Sequence, residues 1–147
     1  MIALDTNVLV YARREETPRH VAALSIVRRF AEGQDPWALA WPCVYEFVRV
    51  VTHPRVFTPP TPLEELLHDL ESLLSSPSLS LLGEGPTHPE HMRRQLLAGA
   101  AAGNLAHDAH IAALAVEHGV RELWTADRDF DRFPGLVTRN PFERSEG

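Results

Sequence analysis

Short apolar runs alternate with longer stretches of helical periodicity along this chain. Ile2-Ala3-Leu4 is apolar and stops at Asp5-Thr6-Asn7, which predicts a buried strand with Asp5 at its carboxyl end and a helix from about Thr6 to Arg13. Pro18 suits the first turn of a second helix, in which Val21, Leu24, Ile26, Val27 and Phe30 recur at roughly helical spacing before Gly33. Trp37-Ala38-Leu39-Ala40 reads as a second strand, and Pro42 opens a third helix running to about Thr52. A proline-rich link at 58–62 precedes a leucine-rich helix from about Leu63 to Leu74. Leu79-Ser80-Leu81 is a third strand; a helix follows from about Pro89 to Ala102, and another from about His107 to His118. Glu122-Leu123-Trp124 is a fourth strand with Asp127 just past its end, followed by a short helix around Phe130 and an edge strand at Val137-Thr138. Strands alternating with helices predict an α/β sandwich around a mainly parallel sheet.

Composition narrows this picture. A chain of 147 residues, 44% hydrophobic, is sized for one compact domain over 1–147. The formal net charge of −6 argues against a general basic coat for nucleic acid. An acidic protein that holds a polyanion must offset its repulsion locally, with metal ions or a few arginines. Lys is absent, so all 14 basic residues are Arg; codon bias accounts for this as readily as phosphate binding does. Arg13, Arg14, Arg49, Arg55, Arg128 and Arg132 are the candidates for phosphate contacts. Cys43 is the only cysteine, which excludes an internal disulfide framework and a cysteine zinc site. No apolar run approaches a membrane span, and the first charge falls at Asp5, too early for a signal-peptide core. A cytoplasmic protein is expected.

Ligands of parallel α/β sheets bind beyond the carboxyl ends of the strands, and both Asp5 and Asp127 sit there. Each reads equally as a helix cap. Glu46 borders the apolar stripe of its helix, next to Cys43, Phe47 and Val50, where a carboxylate is costly unless paired or bound to a cation. A salt bridge to Arg49 is the alternative. Asp108 opens a helix whose following residues are small and apolar; it complements the helix dipole or projects toward the sheet's end. Four converging carboxylates require a cation, and hard oxygen ligands suit Mg²⁺ or Mn²⁺. Phosphodiester hydrolysis is the chemistry that follows.

The ordered set of motifs resembles a known family. Leu4-Asp5-Thr6-Asn7-Val8-Leu9-Val10, Glu46 on a helix after the second strand, the run Gly103 to Ala115 around Asp108, and Thr125-Ala126-Asp127-Arg128-Asp129-Phe130 are together similar to PIN-domain proteins. The chain's length and endings resemble VapC-type toxins of toxin–antitoxin pairs. The resemblance implies a PIN-like three-layer α/β/α sandwich with a mainly parallel central sheet. It implies Asp5, Glu46, Asp108 and Asp127 as catalytic and metal-binding acids for Mg²⁺ or Mn²⁺, with Asp129 as an additional metal ligand. Thr6 or Asn7 orients Asp5, and Thr125 supports the cluster. The implied activity is RNA hydrolysis with water rather than the 2′-hydroxyl as nucleophile, leaving 3′-hydroxyl and 5′-phosphate ends. A homodimer and inhibition by a VapB-type antitoxin are implied as well.

Several readings compete. His107 and His110 flank Asp108 and read as structural, with contact to RNA or antitoxin as the other option for His110. The doublets His68-Asp69 and His107-Asp108 resemble HD-type phosphohydrolases, but that family is all-helical. A haloacid-dehalogenase-like phosphatase needs Asp where Asn7 stands. The rival of another class is a non-catalytic PIN-fold module that binds RNA or protein.

Overall fold

A computed structural model describes residues 1–143; the last four residues of the expected 1–147 domain lie outside the described residues. Five strands, β1 (Ile2–Leu4), β2 (Trp37–Ala40), β3 (Leu79–Leu82), β4 (Glu122–Trp124) and β5 (Thr138–Arg139), form one sheet in the order β3-β2-β1-β4-β5. Every neighbouring pair is parallel, with Ala3 opposite Ala38 and Leu4 opposite Trp124. The helices are α1 (Thr6–Arg13), α2 (His20–Glu32), α3 (Trp41–Val51), α4 (Leu63–Leu74), α5 (His88–Ala98) and α6 (Leu105–Glu117), with a 3-10 turn at Arg128–Arg132.

Alternation along the strands builds two cores. Ala3, Ala38, Ala40 and Leu123 pack with α6 and with Phe130 and Phe133 on one face. Leu4, Trp37, Leu39 and Trp124 pack with α1 to α4 on the other. The α6 face is built from small residues: Ala109, Ala112, Ala113 and Ala115 are buried beside Ile111 and Leu114. This lets α6 approach the alanine-faced side of the sheet closely, giving the expected three-layer α/β/α sandwich. No helix among the described residues is long and apolar enough to cross a membrane.

Most element boundaries fall within one or two residues of expectation. Three departures are informative. Pro18 lies in the turn before α2, whose first residue is His20, and Val21 is 82% exposed despite its helical spacing. Helix α5 ends at Ala98, four residues short of the expected Ala102. Gly99 is pressed against Phe133, where a Cβ would lie 2.6 Å from the ring, and Ala100 turns to φ 47°. The edge strand forms at Thr138–Arg139, one residue later than read.

Candidate metal centre

The chain order reverses across the pair β1 and β4: connections from β1 run outward to β2 and β3, then return to β4 and β5. A crevice opens beyond the carboxyl ends of strands at such a point. Asp5 follows β1, and Thr125 to Asp127 follow β4. A cavity of about 260 Å³ there is lined by Asp5, Glu46, His107, Asp108 and Asp127, among others. Four elements far apart in sequence therefore deliver the four predicted acids to one place.

Asp5 is the buried anchor, 5% exposed. Its Oδ1 accepts the Thr6 N–H at 2.7 Å, as an N-cap does, and the Cys43 thiol at 3.7 Å. Its Oδ2 accepts the Thr125 hydroxyl at 2.7 Å and the Asn7 amide at 3.3 Å. Thr125 also receives the Asp127 N–H at 3.0 Å, and Asn7 Oδ1 receives the Ala126 N–H at 3.3 Å. The β1 and β4 ends are thus sewn together through Asp5, Asn7 and Thr125. Asp127 caps the 3-10 turn by accepting the Asp129 N–H at 2.9 Å. Asp5 and Asp127 each cap the turn that follows and also line the cavity.

Asp108, in the first turn of α6, Asp127 and Asp129 each place a carboxylate oxygen within 4.8 Å of the others. Burial, reinforced by the negative charges of Asp127 and Asp5, pushes the Asp108 carboxyl up to about 6. Burial likewise raises the Asp5 carboxyl, against the opposing hydrogen bonds of Thr125, Thr6 and Cys43. Glu46 behaves differently: Arg49 holds it in a two-nitrogen ion pair and lowers its carboxyl below the ordinary value. Glu46 is paired with Arg49 and also lines the cavity. The carboxylates repel one another, are all oxygen donors, and surround open space. Such a donor set fits a hard divalent cation.

Cys43, buried and 3.7 Å from Asp5 Oδ1, is a neighbour of the site that sequence reasoning missed. It lies three residues before Glu46 on the same helix face, a spacing that places it beside the first acid. His107 lines the cavity and favours the ionised form of Asp108. His110 instead meets Glu84, 2.7 Å away. Several arginines marked for phosphate are engaged within the fold. Arg13 bridges Glu65 and Asp69, bracing α1 on α4. Arg14 joins Thr61, Glu16 and the Pro59 carbonyl and stacks on Phe57. Arg132 donates to the Gly99 carbonyl, and Arg128 pairs with Glu143. Arg55 is exposed in the turn after α3. The pairing of Asp69 with Arg13 and the parallel sheet remove the HD-type reading.

Known proteins are similar to this chain. The family described as PIN domain matches residues 2–136. Ribonuclease VapC48 of Mycobacterium tuberculosis is 36% identical over 138 residues, which is 94% of this chain and 95% of that protein. Ribonuclease VapC43 of the same organism is 36% identical over 143 residues, 97% of each. Among solved structures, VapC20 of Mycobacterium tuberculosis, titled a sarcin-ricin loop cleaving toxin, gives a TM-score of 0.67 at 15% identity, covering 93% of this chain and 97% of that one. VapBC2 from Rickettsia felis, bound to a promoter DNA fragment, gives 0.65 at 22%, covering 95% and 98%. These two likenesses speak to the fold.

Proposed function

The chain belongs to the PIN-domain family, and from that premise we propose that it is a metal-dependent endoribonuclease, the VapC-type toxin of a VapBC pair. The observation that carries this reading is the convergence of Asp5, Glu46, Asp108 and Asp127 on one cavity, in a chain 36% identical to proteins named ribonucleases. The reading takes the chain as one PIN domain acting in the cytoplasm.

In this reading Asp5, Asp108 and Asp127 hold Mg²⁺ or Mn²⁺, with Asp129 and Glu46 completing the acidic ring. When bound, a divalent cation neutralises the scissile phosphate and activates water for attack on phosphorus. The protein's own part is positioning. Thr125, Asn7 and the Thr6 N–H fix both oxygens of Asp5, so the anchor does not rotate as charge builds. Asp127 is fixed through its own N–H on Thr125 and through the Asp129 N–H. Arg49 keeps Glu46 ionised and at the rim. Cleavage leaves 3′-hydroxyl and 5′-phosphate ends.

An apolar groove of about 580 Å³ between α1, α2 and α4 supports the antitoxin part of the reading. Leu9, Leu24, Val27, Phe47, Leu70 and Leu73 line it, a surface suited to an amphipathic helix. A homodimer completes the proposed assembly.

The test is cleavage of total cellular RNA by purified protein with Mg²⁺, Mn²⁺ or EDTA, beside folded Asp5→Ala and Asp127→Ala variants. Discrete metal-dependent fragments with 5′-phosphate ends, lost in both variants, support the reading. Folded, metal-supplied, antitoxin-free wild type that binds RNA and leaves it intact would establish the binding-module alternative instead.

A further inference from the structure

A second cluster of metal-ligating side chains lies away from the acidic crevice. Glu84 stands on the turn after β3, His88 is the first residue of α5, and His110 and Glu117 lie two turns apart on α6. Glu84, His88 and His110 each bring one ligand atom within 4.8 Å of the other two. His110 Nε2 is 2.7 Å from Glu84 Oε1, and the two imidazoles meet edge to face at 5.6 Å. His88 Nδ1 lies 3.3 Å from Glu117 Oε1. That nitrogen is shielded from solvent and, among the described residues, makes no hydrogen bond of good geometry.

The inner half of the cluster is built with some care. The Glu117 side chain is 5% exposed and that of His88 13%, whereas His110 and Glu84 are 37% and 55% exposed. Glu117 accepts the Gly85 N–H at 3.1 Å and faces the Thr87 hydroxyl at 3.3 Å. A Cβ on Gly85 would lie 2.9 Å from Glu117 Oε2, so a glycine is what lets this loop close on the carboxylate. The His118 ring and the Gly83 carbonyl, 2.7 Å apart, fasten the same loop from the other side.

We propose that Glu84, His88 and His110 form a second metal site, for a first-row transition ion of the Zn²⁺ class, with Glu117 as the carboxylate that orients His88. Two imidazoles and a carboxylate suit Zn²⁺, Co²⁺ or Ni²⁺ and not Mg²⁺, which prefers oxygen and water. Three protein ligands would leave a fourth position for water. Ligand atoms around a tetrahedral Zn²⁺ stand roughly 3.3 Å apart, so Glu84 and His110, now 2.7 Å apart, would separate slightly to admit the ion between them. A carboxylate behind a ligating histidine fixes its ring and tautomer, the position Glu117 holds beside His88. The ion would clamp the loop at 83–87 onto α6, the helix that carries Asp108. This inference does not rest on the nuclease reading.

The experiment is titration of metal-free full-length protein with Co²⁺, read by visible d–d absorption, and with Zn²⁺, read by calorimetry in excess Mg²⁺. Wild type is compared with Asp108→Asn/Asp127→Asn, which disables the acidic crevice, and with His88→Ala and His110→Ala. The expected result is retained binding in the aspartate variant and affinity at least about tenfold weaker in each histidine variant. Absent binding in wild type, binding lost with the aspartates, or binding unchanged without the histidines each overturns the proposal. If His88→Ala does not fold, the exposed Glu84→Gln serves in its place, with loss expected and retention counting against the site.

Discussion

Replacing Asp108 by Asn tests whether the acidic crevice is strained without its cation. The Asp108 carboxyl is raised from the ordinary aspartate value of 3.8 to about 6, first by burial and then by Asp127 and Asp5. Taken at face value, that difference is about 3 kcal/mol of unfavourable free energy once the group ionises. The group is only partly buried, so screening reduces the figure to about 1.5 kcal/mol. Losing the charge from the first turn of α6 gives back about 0.5 kcal/mol of dipole stabilisation. Metal-free Asp108→Asn is therefore expected to be about 1 kcal/mol more stable than wild type at about pH 7.5, or roughly 3 °C higher in Tm. The sign with pH follows from a folded value above the unfolded one. The wild type's relative stability is whole below about 3.8 and is lost as pH rises through about 6, so the two proteins converge near pH 4. Saturating Mg²⁺ reverses the order, because only wild type gains the full binding term, about 2.7 kcal/mol at a hundredfold excess over Kd. Urea unfolding at several pH values, in EDTA and in Mg²⁺, measures all of this. A variant no more stable than wild type in EDTA at neutral pH, or a gap that persists at pH 4, would refute the reasoning.

Other outcomes are equally specific. Thr125→Val removes the hydroxyl that holds Asp5 Oδ2 and the Asp127 N–H; RNA cleavage should fall about 10- to 100-fold while calorimetric Mg²⁺ affinity weakens alongside it. Arg49→Ala releases Glu46 from an exposed pair worth at most about 1 kcal/mol, so Mg²⁺ should bind up to about fivefold tighter by calorimetry. Gly99→Ala drives a methyl to 2.6 Å from Phe133 and 2.9 Å from the Gln95 carbonyl, and should lower stability by about 1–3 kcal/mol in urea unfolding. RNA affinity should fall only gently with salt, with a log–log slope near −2, because most of the arginines marked for phosphate are occupied within the fold. A slope steeper than about −5 would mean an unrecognised basic surface.

What the residues disclose by themselves divides along physical lines. Strands and helices followed from apolar runs and periodicity, and the acids at strand ends from the behaviour of parallel sheets. Asp5 and Asp127 read equally as caps or as site acids because one residue can cap and face the cavity: Asp5 takes the Thr6 N–H and also lines the cavity. The end of α5 was not legible, since Ala100 to Ala102 favour helix; it ends at Gly99, where a Cβ would meet Phe133, with Ala100 turned to positive φ. The exposure of Val21 and the occupation of Arg13 by Glu65 and Asp69 are also tertiary facts, settled by partners far along the chain. Cys43 was legible in principle. Its helical spacing from Glu46 carried more information than its count did.

The hydrogen bonds of Asp5 set a condition on how a cation enters. A carboxylate offers about four lone-pair positions, and Asp5 already accepts from Thr6, Cys43, Thr125 and Asn7. A metal ion that ligates Asp5 must displace one of these donors. Thr6 and Thr125, both at 2.7 Å, are the strong ones; the Asn7 amide at 3.3 Å and the Cys43 thiol at 3.7 Å are the weak ones. Asn7 also holds Ala126 and Thr125, so its loss would loosen the junction of β1 and β4. The thiol interacts with Thr6 as well as Asp5, but it does not bridge the β1 and β4 ends, and S–H is a weak donor. By donor strength, Cys43 is the group that would yield. It would satisfy the buried carboxylate oxygen without a cation and release it at small cost to one.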